Sequence, residues 1–351
     1  MKKIFFSIVA LAALAACSKS EVAYEQPAEI GFVAVANNIT KTPISGTTYP
    51  TSLDLYVNAF TSAATDAPNY FTNIKFTHKA NNKWGGEPSQ YWPNETPLYF
   101  SGYSNSGSFV SSSYVPSDDE LTINGYNPGV ETDLGANDLM WFPKTDSYTR
   151  ITGKDGVVAK MYHTCSWITF MIQGDETTGT STSTYKITSL TMKGLDLTAN
   201  VVCTGNVDLS QNTLSTYVVW SGNTDQSESY NVTVPDAGVS LASTYTSESS
   251  KAPKNLETNE TTTTGGNIVV IPQKPGSIDL AWTYKSYDND IPDSATGLSL
   301  QLTTDEDDDD NVWEPGKHYV YTITIKANEI LIAPSVAVDW VDGTPGNVTV
   351  E

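Results

Sequence analysis

The chain has 351 residues, with 19 basic and 40 acidic side chains and a formal net charge of −21 at pH 7. This length is enough for about two domains. So acidic a surface repels nucleic acid and anionic lipid headgroups, which excludes both as expected partners. Three histidines and a single arginine leave little material for a histidine-based metal or catalytic centre.

The first 17 residues have the pattern of a secretory signal. Lys2 and Lys3 precede an apolar run over residues 4–13, which is too short for a membrane span of about 20 residues. The following Leu-Ala-Ala-Cys resembles the lipobox of bacterial lipoproteins, in which the cysteine becomes the first mature residue and carries acyl chains. This resemblance implies lipidation of Cys17 and an outer-membrane anchor. The alternative is an ordinary signal followed by an incidental cysteine.

The sequence after the signal predicts an all-β fold. Apolar and polar residues alternate in short runs, and clusters of Gly, Pro, Asn, Asp, Ser and Thr separate them. Many short strands with turn signals favour β-sandwiches. The predicted strands include residues 53–60, 167–172, 185–192, 267–271, 299–303 and 319–326.

A polar segment at residues 174–184 is the best candidate for a domain boundary, because its composition is that of a flexible linker. The predicted organisation is a signal peptide over 1–17, a tether over 18–27, an N-terminal β-sandwich over 28–175 and a C-terminal β-sandwich over 176–351.

Six consecutive carboxylates occupy residues 305–310 and offer the hard oxygen ligands that calcium prefers. Adjacent like charges more often form a solvated loop, and the run lacks the spacing that wraps a cation, so we predict no metal site. Asp288, Asp290 and Asp293 surround Pro292 and are interpreted as residues of a hairpin turn.

His163 and Cys165 lie two residues apart on a strand-like run, where a Cys–His nucleophile pair is conceivable. The sequence offers no orienting partner, so core packing is the favoured interpretation. Cys165 and Cys203 could form a disulfide in an oxidising compartment or remain separate buried thiols. A glycosidase needs two carboxylates at a fixed separation, and no such pair stands out. We therefore predict no enzyme, no catalytic residue and no cofactor.

Trp84, Tyr91 and Trp92 lie among polar, Pro and Gly residues. Exposed aromatic rings stack on sugars, which motivates an alternative function as a glycan-binding outer-membrane lipoprotein of a polysaccharide-uptake system. The competing interpretation is that these large rings fill the core of a sandwich.

Several segments together resemble the fimbrillin family, the pilus subunits and relatives carried by gut and oral Gram-negative anaerobes. The resemblance covers nearly the whole mature chain, in matching order. Its segments are Glu-Ile-Gly-Phe at 29–32, Tyr-Trp-Pro and the following stretch at 91–103, the histidine-containing strand at 161–170, Val-Val-Ile-Pro-Gln at 269–273, the Trp-to-Tyr hairpin at 313–321 and Val-Asp-Trp at 338–340.

The resemblance implies two tandem transthyretin-like β-sandwiches and a structural and adhesive role in a pilus. In polymerising members, a trypsin-like protease removes the first strand, and an extended segment of another subunit fills the groove. The cut would fall between residues 37 and 45. The only basic residue there is Lys41, where processed relatives usually offer an arginine. An uncut chain would instead serve as an anchor or a non-polymerising adhesin.

Two sets of residues follow from this mechanism. The displaced strand would carry Ile30, Phe32, Val33 and Val35. The candidate donor strand at the carboxyl end would carry Val336, Val338, Trp340, Val348 and Val350, although an ordinary last strand is an equal alternative. The implied partners are other fimbrial subunits, the outer membrane through the lipid, and a host or bacterial surface ligand.

Overall fold

A computed structural model of the protein describes residues 27–36, 49–104, 107–129, 138–174, 185–205, 207, 213–222, 226–241, 252–262, 266, 268–286, 289–302, 311–326, 330–335 and 337–339. The first half contains strands β1 Gly31–Ala36, β2 Leu55–Phe60, β3 Phe71–His78, β4 Trp84–Glu87, β5 Tyr99–Ser104, β6 Ser111–Val115, β7 Glu120–Tyr126, β8 Met140–Phe142, β9 Val157–His163 and β10 Ser166–Gly174. The second half contains β11 Tyr185–Leu195, β12 Ala199–Thr204, β13 Val218–Ser221, β14 Glu228–Val232, β15 Val239–Ser240, β16 Lys254–Asn255, β17 Ile268–Val270, β18 Ser277–Ser286, β19 Asn289–Ser299, β20 Lys317–Ile325, β21 Ile330–Ala333 and β22 Ala337–Asp339.

Seven strands of the first half form a closed barrel in the order β1-β4-β3-β2-β5-β8-β9. The barrel closes because β1 pairs with both β4 and β9. Alternation along each strand points one set of apolar side chains inward, and the resulting core is rich in phenylalanine and tryptophan.

A four-stranded sheet in the order β13-β12-β7-β6 packs beside the barrel. Its inward residues, the outer side of the barrel and Trp167 of β10 share a second core, which includes Tyr103, Trp141 and Val201. This sheet combines strands that precede residues 174–184 with strands that follow them. The predicted boundary itself falls almost entirely outside the described residues, and the division into two domains stays a prediction.

The remaining strands form two facing sheets at the carboxyl side. One has the order β16-β10-β20-β21, with β17 on β10 and β22 on β20, and the other has the order β14-β11-β18-β19, with β15 on β11. A third core fills the space between them, as in a β-sandwich. The long strands β10 and β20 run parallel. β10 is buried along almost its whole length because both of its faces are covered, whereas β20 alternates between buried and half-buried residues.

The predicted all-β class is confirmed. Among the described residues, the only helical element is a 3-10 turn at Leu214–Thr216. None of these residues belongs to a helix with the length and hydropathy needed to cross a membrane. The prediction of a strand at 299–303 is wrong, because β19 ends at Ser299 and Leu302 makes only an isolated bridge with Ser335. The apolar side chain of Leu300 is buried in a connection rather than in a strand.

Candidate functional site: the first strand and its groove

Strand β1 lies between two neighbours in the barrel. It pairs antiparallel with β4, where Phe32 is opposite Trp84, and parallel with β9 from Phe32–Val157 to Ala36–Met161. The preceding residues extend this pairing, since the Ile30 amide donates to the Gln90 carbonyl at 2.7 Å. Removal of this strand would therefore open the barrel and leave two unpaired strand edges.

The inward face of β1 fills the barrel with Ile30, Phe32 and Ala34, all of which are buried. The ring of Phe32 meets the edges of two other phenylalanines, with centroids 4.9 Å from Phe76 and 5.2 Å from Phe100. Burial of one Ile or Phe side chain contributes roughly 1.5–3 kcal/mol. Ile30 and Phe32 together thus contribute roughly 3–6 kcal/mol, a large part of the 5–15 kcal/mol stability of a typical domain.

The outward face of β1 is also apolar. Val33 and Val35 alternate with the buried residues and are half-buried. Val158 lies opposite Val33 on β9 and is 48% exposed. β1 therefore has no polar face. Its inward face is held by apolar contacts in the barrel, and its outward face leaves a small apolar surface.

Both ends of the chain segment that follows β1 are held by the barrel. Ala36 pairs with Met161, and the next described residue after the gap, Tyr49, is buried. The Tyr49 hydroxyl donates to the Asp54 carbonyl at 3.1 Å. Lys41 lies in the intervening residues 37–48, outside the described residues. A cut in this segment would leave β1 attached to the barrel by non-covalent contacts alone.

Most residues of the predicted anchor and donor strand lie outside the described residues: Cys17, Val336, Trp340, Val348 and Val350. Val338 belongs to β22, whose backbone pairs antiparallel with β20, with Val338 opposite His318. The assignments of lipidation, processing and donor strand stay predictions.

The residues considered for catalysis are interior residues. His163 and Cys165 are buried, and burial, reinforced by the nearby Asp138, raises the pKa of the Cys165 thiol, which disfavours the nucleophilic thiolate. Cys203 is a second buried thiol in the same core, and the two cysteines are not bonded to each other. Asp138 is a partner of His163 that the sequence did not reveal.

The aromatic residues considered for sugar binding are mostly core residues. Trp84 and Trp92 are buried, and the Trp84 indole donates to the Leu53 carbonyl at 2.9 Å. Only Tyr91 is exposed, by 43%. The three residues therefore do not form an exposed platform.

The acidic residues do not form a cation site in the described part of the chain. Residues 305–310 lie outside it, and no group of three or more His, Cys, Asp or Glu among the described residues could hold a metal ion. Asp290 and Asp293, interpreted as turn residues, belong to the long strand β19. Asp288 lies outside the described residues.

The fold and the signal sequence together define the class of protein, which is an all-β lipoprotein. A model of the prokaryotic membrane lipoprotein lipid attachment site matches residues 1–18. A family model described as fimbrillin-like matches residues 40–340. The chain therefore belongs to the fimbrillin-like family, which is a family of fimbrial structural proteins.

Solved structures of fimbrial and adhesion proteins resemble this chain. A fimbrial protein from Bacteroides vulgatus is 15% identical, with a TM-score of 0.56 over 89% of this chain and 99% of that chain. A protein assigned to cell adhesion from Bacteroides uniformis is 14% identical, with a TM-score of 0.47 over 90% and 100%. A fimbrilin from Porphyromonas gingivalis is 11% identical, with a TM-score of 0.37 over 90% and 98%. No curated protein matches the chain significantly. At these identities the likeness concerns the fold alone.

Proposed function

We propose that the chain is a structural and adhesive subunit of a fimbrium, anchored at the outer membrane through Cys17 before assembly. Proteolysis between residues 37 and 45, at Lys41, releases β1, and an extended segment of another subunit takes its place. The observation that carries this proposal is the position of β1, paired on both sides and followed by a link that contains Lys41.

After β1 is released, a groove filled by another strand would be more stable than an empty groove. An empty groove would expose the rings of Phe76 and Phe100 that Phe32 now contacts, together with the edges of β4 and β9. An incoming strand restores main-chain hydrogen bonds and fills the alternate pockets. The donor in this proposal is the carboxyl-terminal segment, whose residues Val336, Val338 and Trp340 alternate in the way that such pockets require.

Cleavage at Lys41 can be tested on the chain without residues 1–17. A lysine-specific protease should cut the wild type after Lys41, as read by N-terminal sequencing and mass, and size-exclusion chromatography should then show larger assemblies. Lys41→Gln should stay monomeric, and Lys41→Arg should transfer the cut to an arginine-specific protease. Lys19→Gln is the matched control, because it removes a lysine of the tether and leaves the link unchanged.

Two results would contradict the proposal: a chain cut after Lys41 that stays monomeric, or equal assembly of Lys41→Gln. The donor is tested separately by deletion of residues 340–351, which keeps β22. This deletion should leave the cut intact and abolish assembly. Unchanged assembly would exclude Trp340, Val348 and Val350 as donor residues.

The alternative role in polysaccharide uptake rested on Trp84, Tyr91 and Trp92. Because both tryptophans are buried, these residues do not favour the uptake role, and we propose the fimbrial role alone.

A further inference from the structure

A cavity of about 560 Å³ opens between the two sheets of the carboxyl-terminal sandwich, at the edge strands β19 and β21. Its aromatic wall comes from neighbouring strands, because Tyr185 of β11 lies directly opposite Tyr284 of β18. Trp282 lies two residues before Tyr284 and so shares its face of the sheet. Ile325 and Ile330 of the facing sheet close the other side.

The lining combines flat apolar surfaces with polar groups. The rings of Tyr185 and Tyr284 stack with centroids 5.8 Å apart and an angle of 27°, and both residues are half-buried. Neither hydroxyl makes a hydrogen bond to another described residue. Each hydroxyl can therefore donate to a ligand and accept from it. Asp293 and Lys326 add one charge of each sign.

The strand at the mouth of this cavity is poorly suited to pair with another strand. Among the described strands, β19 is an edge strand that pairs with β18 alone, and its exposed residues include Asp290, Pro292 and Asp293. Proline lacks the amide donor, and charged residues on an edge prevent strand addition. The register also shifts between Ile278 and Leu280 opposite this strand, which adds a twist to the edge. An extended peptide is therefore a poor occupant.

The charges and the aromatic and polar groups that line the cavity indicate the class of ligand. An acidic chain repels anions, and the cavity balances Lys326 against Asp293 rather than presenting a cationic site. Half-exposed aromatic rings offer faces to the C–H groups of a pyranose, while the tyrosine hydroxyls and the Asp293 carboxylate suit its hydroxyl groups. A cavity of a few hundred Å³ is the usual size for a small ligand. We propose that this cavity binds a neutral saccharide, a unit of one to three sugars at the surface of a cell or glycan.

The test uses the uncut chain without residues 1–17, so that its result does not depend on fimbrial assembly. Lactose, maltotriose and N,N′-diacetylchitobiose are titrated by calorimetry and by saturation-transfer NMR, with 3′-sialyllactose as the anionic counterpart of lactose. We expect saturable binding of at least one neutral sugar. Binding of 3′-sialyllactose alone, or the absence of saturable binding by all three neutral sugars, would overturn the proposal.

Variants locate the site. The double variant Tyr185→Phe, Tyr284→Phe keeps the rings and removes both hydroxyls, and we expect it to weaken binding by about three- to tenfold. Tyr284→Ala removes a stacking face and should weaken binding further. Tyr91→Phe is the matched control, because it removes the hydroxyl of an exposed tyrosine outside the cavity. Equal affinity in the double variant and the wild type, with both folded by circular dichroism, would place the sugar elsewhere and overturn the assignment.

Discussion

His163 Nδ1 lies 2.5 Å from Asp138 Oδ2, and the two side chains are 3% and 0% exposed. The hydrogen bond joins the end of β9 to the residues that lead into β8. Removal of one member of a buried pair leaves an uncompensated polar group and typically costs about 3–5 kcal/mol. We therefore expect His163→Ala and Asp138→Ala to lower the free energy of unfolding by this amount in urea titrations.

The exposed pair Lys79–Glu87 is the control for this prediction. Its atoms are 2.8 Å apart, but both side chains are half exposed. Water screens such a pair, so Lys79→Ala should change the free energy of unfolding by less than about 1 kcal/mol. Equal losses for the buried and exposed pairs would show that the Asp138–His163 contact does not stabilise the fold.

Phe32 is the largest inward side chain of β1, and its truncation tests how strongly this strand is held. Phe32→Ala should cost about 3–5 kcal/mol, as for other buried aromatic residues. Val33→Ala on the outward face is the matched variant and should cost clearly less. Hydrogen exchange of the amides of β9 should accelerate in Phe32→Ala, because β9 pairs with β1. Similar losses for both variants would contradict an anchoring role of the inward face.

If β1 is the strand that assembly displaces, Phe32→Ala should also change the rate of assembly. A weaker native strand leaves the groove more easily after a cut at Lys41, so assembly should become faster than in the wild type, at equal extent of cleavage. Light scattering after a pulse of lysine-specific protease measures this rate. A slower rate would indicate that Phe32 itself is needed in the assembled state.

The sequence predicted those parts of the fold whose stability comes from alternating apolar side chains. Strands such as β10 and β20 were predictable because their apolar residues line the core. The strand β19 was not predictable, since most of its residues are polar and exposed, and it is held mainly by backbone pairing with β18. The residues of the candidate strand, Ile30 and Phe32 among them, followed from the family resemblance. The partner of His163 did not, because tertiary packing alone brings Asp138 to it across 25 positions.

Cys165 and Cys203 should behave as unreactive thiols in the folded protein. Burial raises the pKa of both, so little thiolate forms at neutral pH. Iodoacetamide at pH 8 should leave the native chain without residues 1–17 unmodified and should label two thiols per chain after unfolding. Cys203→Ala is the control and should show one. A native mass two hydrogens lower, with no labelling after unfolding, would instead show a disulfide.

The pH dependence of stability should contain a contribution from His318. Its ring stacks on Trp167 with centroids 3.4 Å apart, and burial lowers its pKa from 6.5 to about 3. Between these values the unfolded chain binds a proton on this ring and the folded chain does not, so the free energy of unfolding falls as the pH falls from 6.5 towards 3. The slope is roughly 1.4 kcal/mol per pH unit. His318→Phe keeps an aromatic ring beside Trp167 and cannot titrate, so its stability should fall less steeply than that of the wild type in urea titrations across this window. The carboxylates contribute equally to the wild type and the variant. If the free energy of unfolding falls with pH at the same rate in both, the pKa of His318 in the folded protein is not lowered.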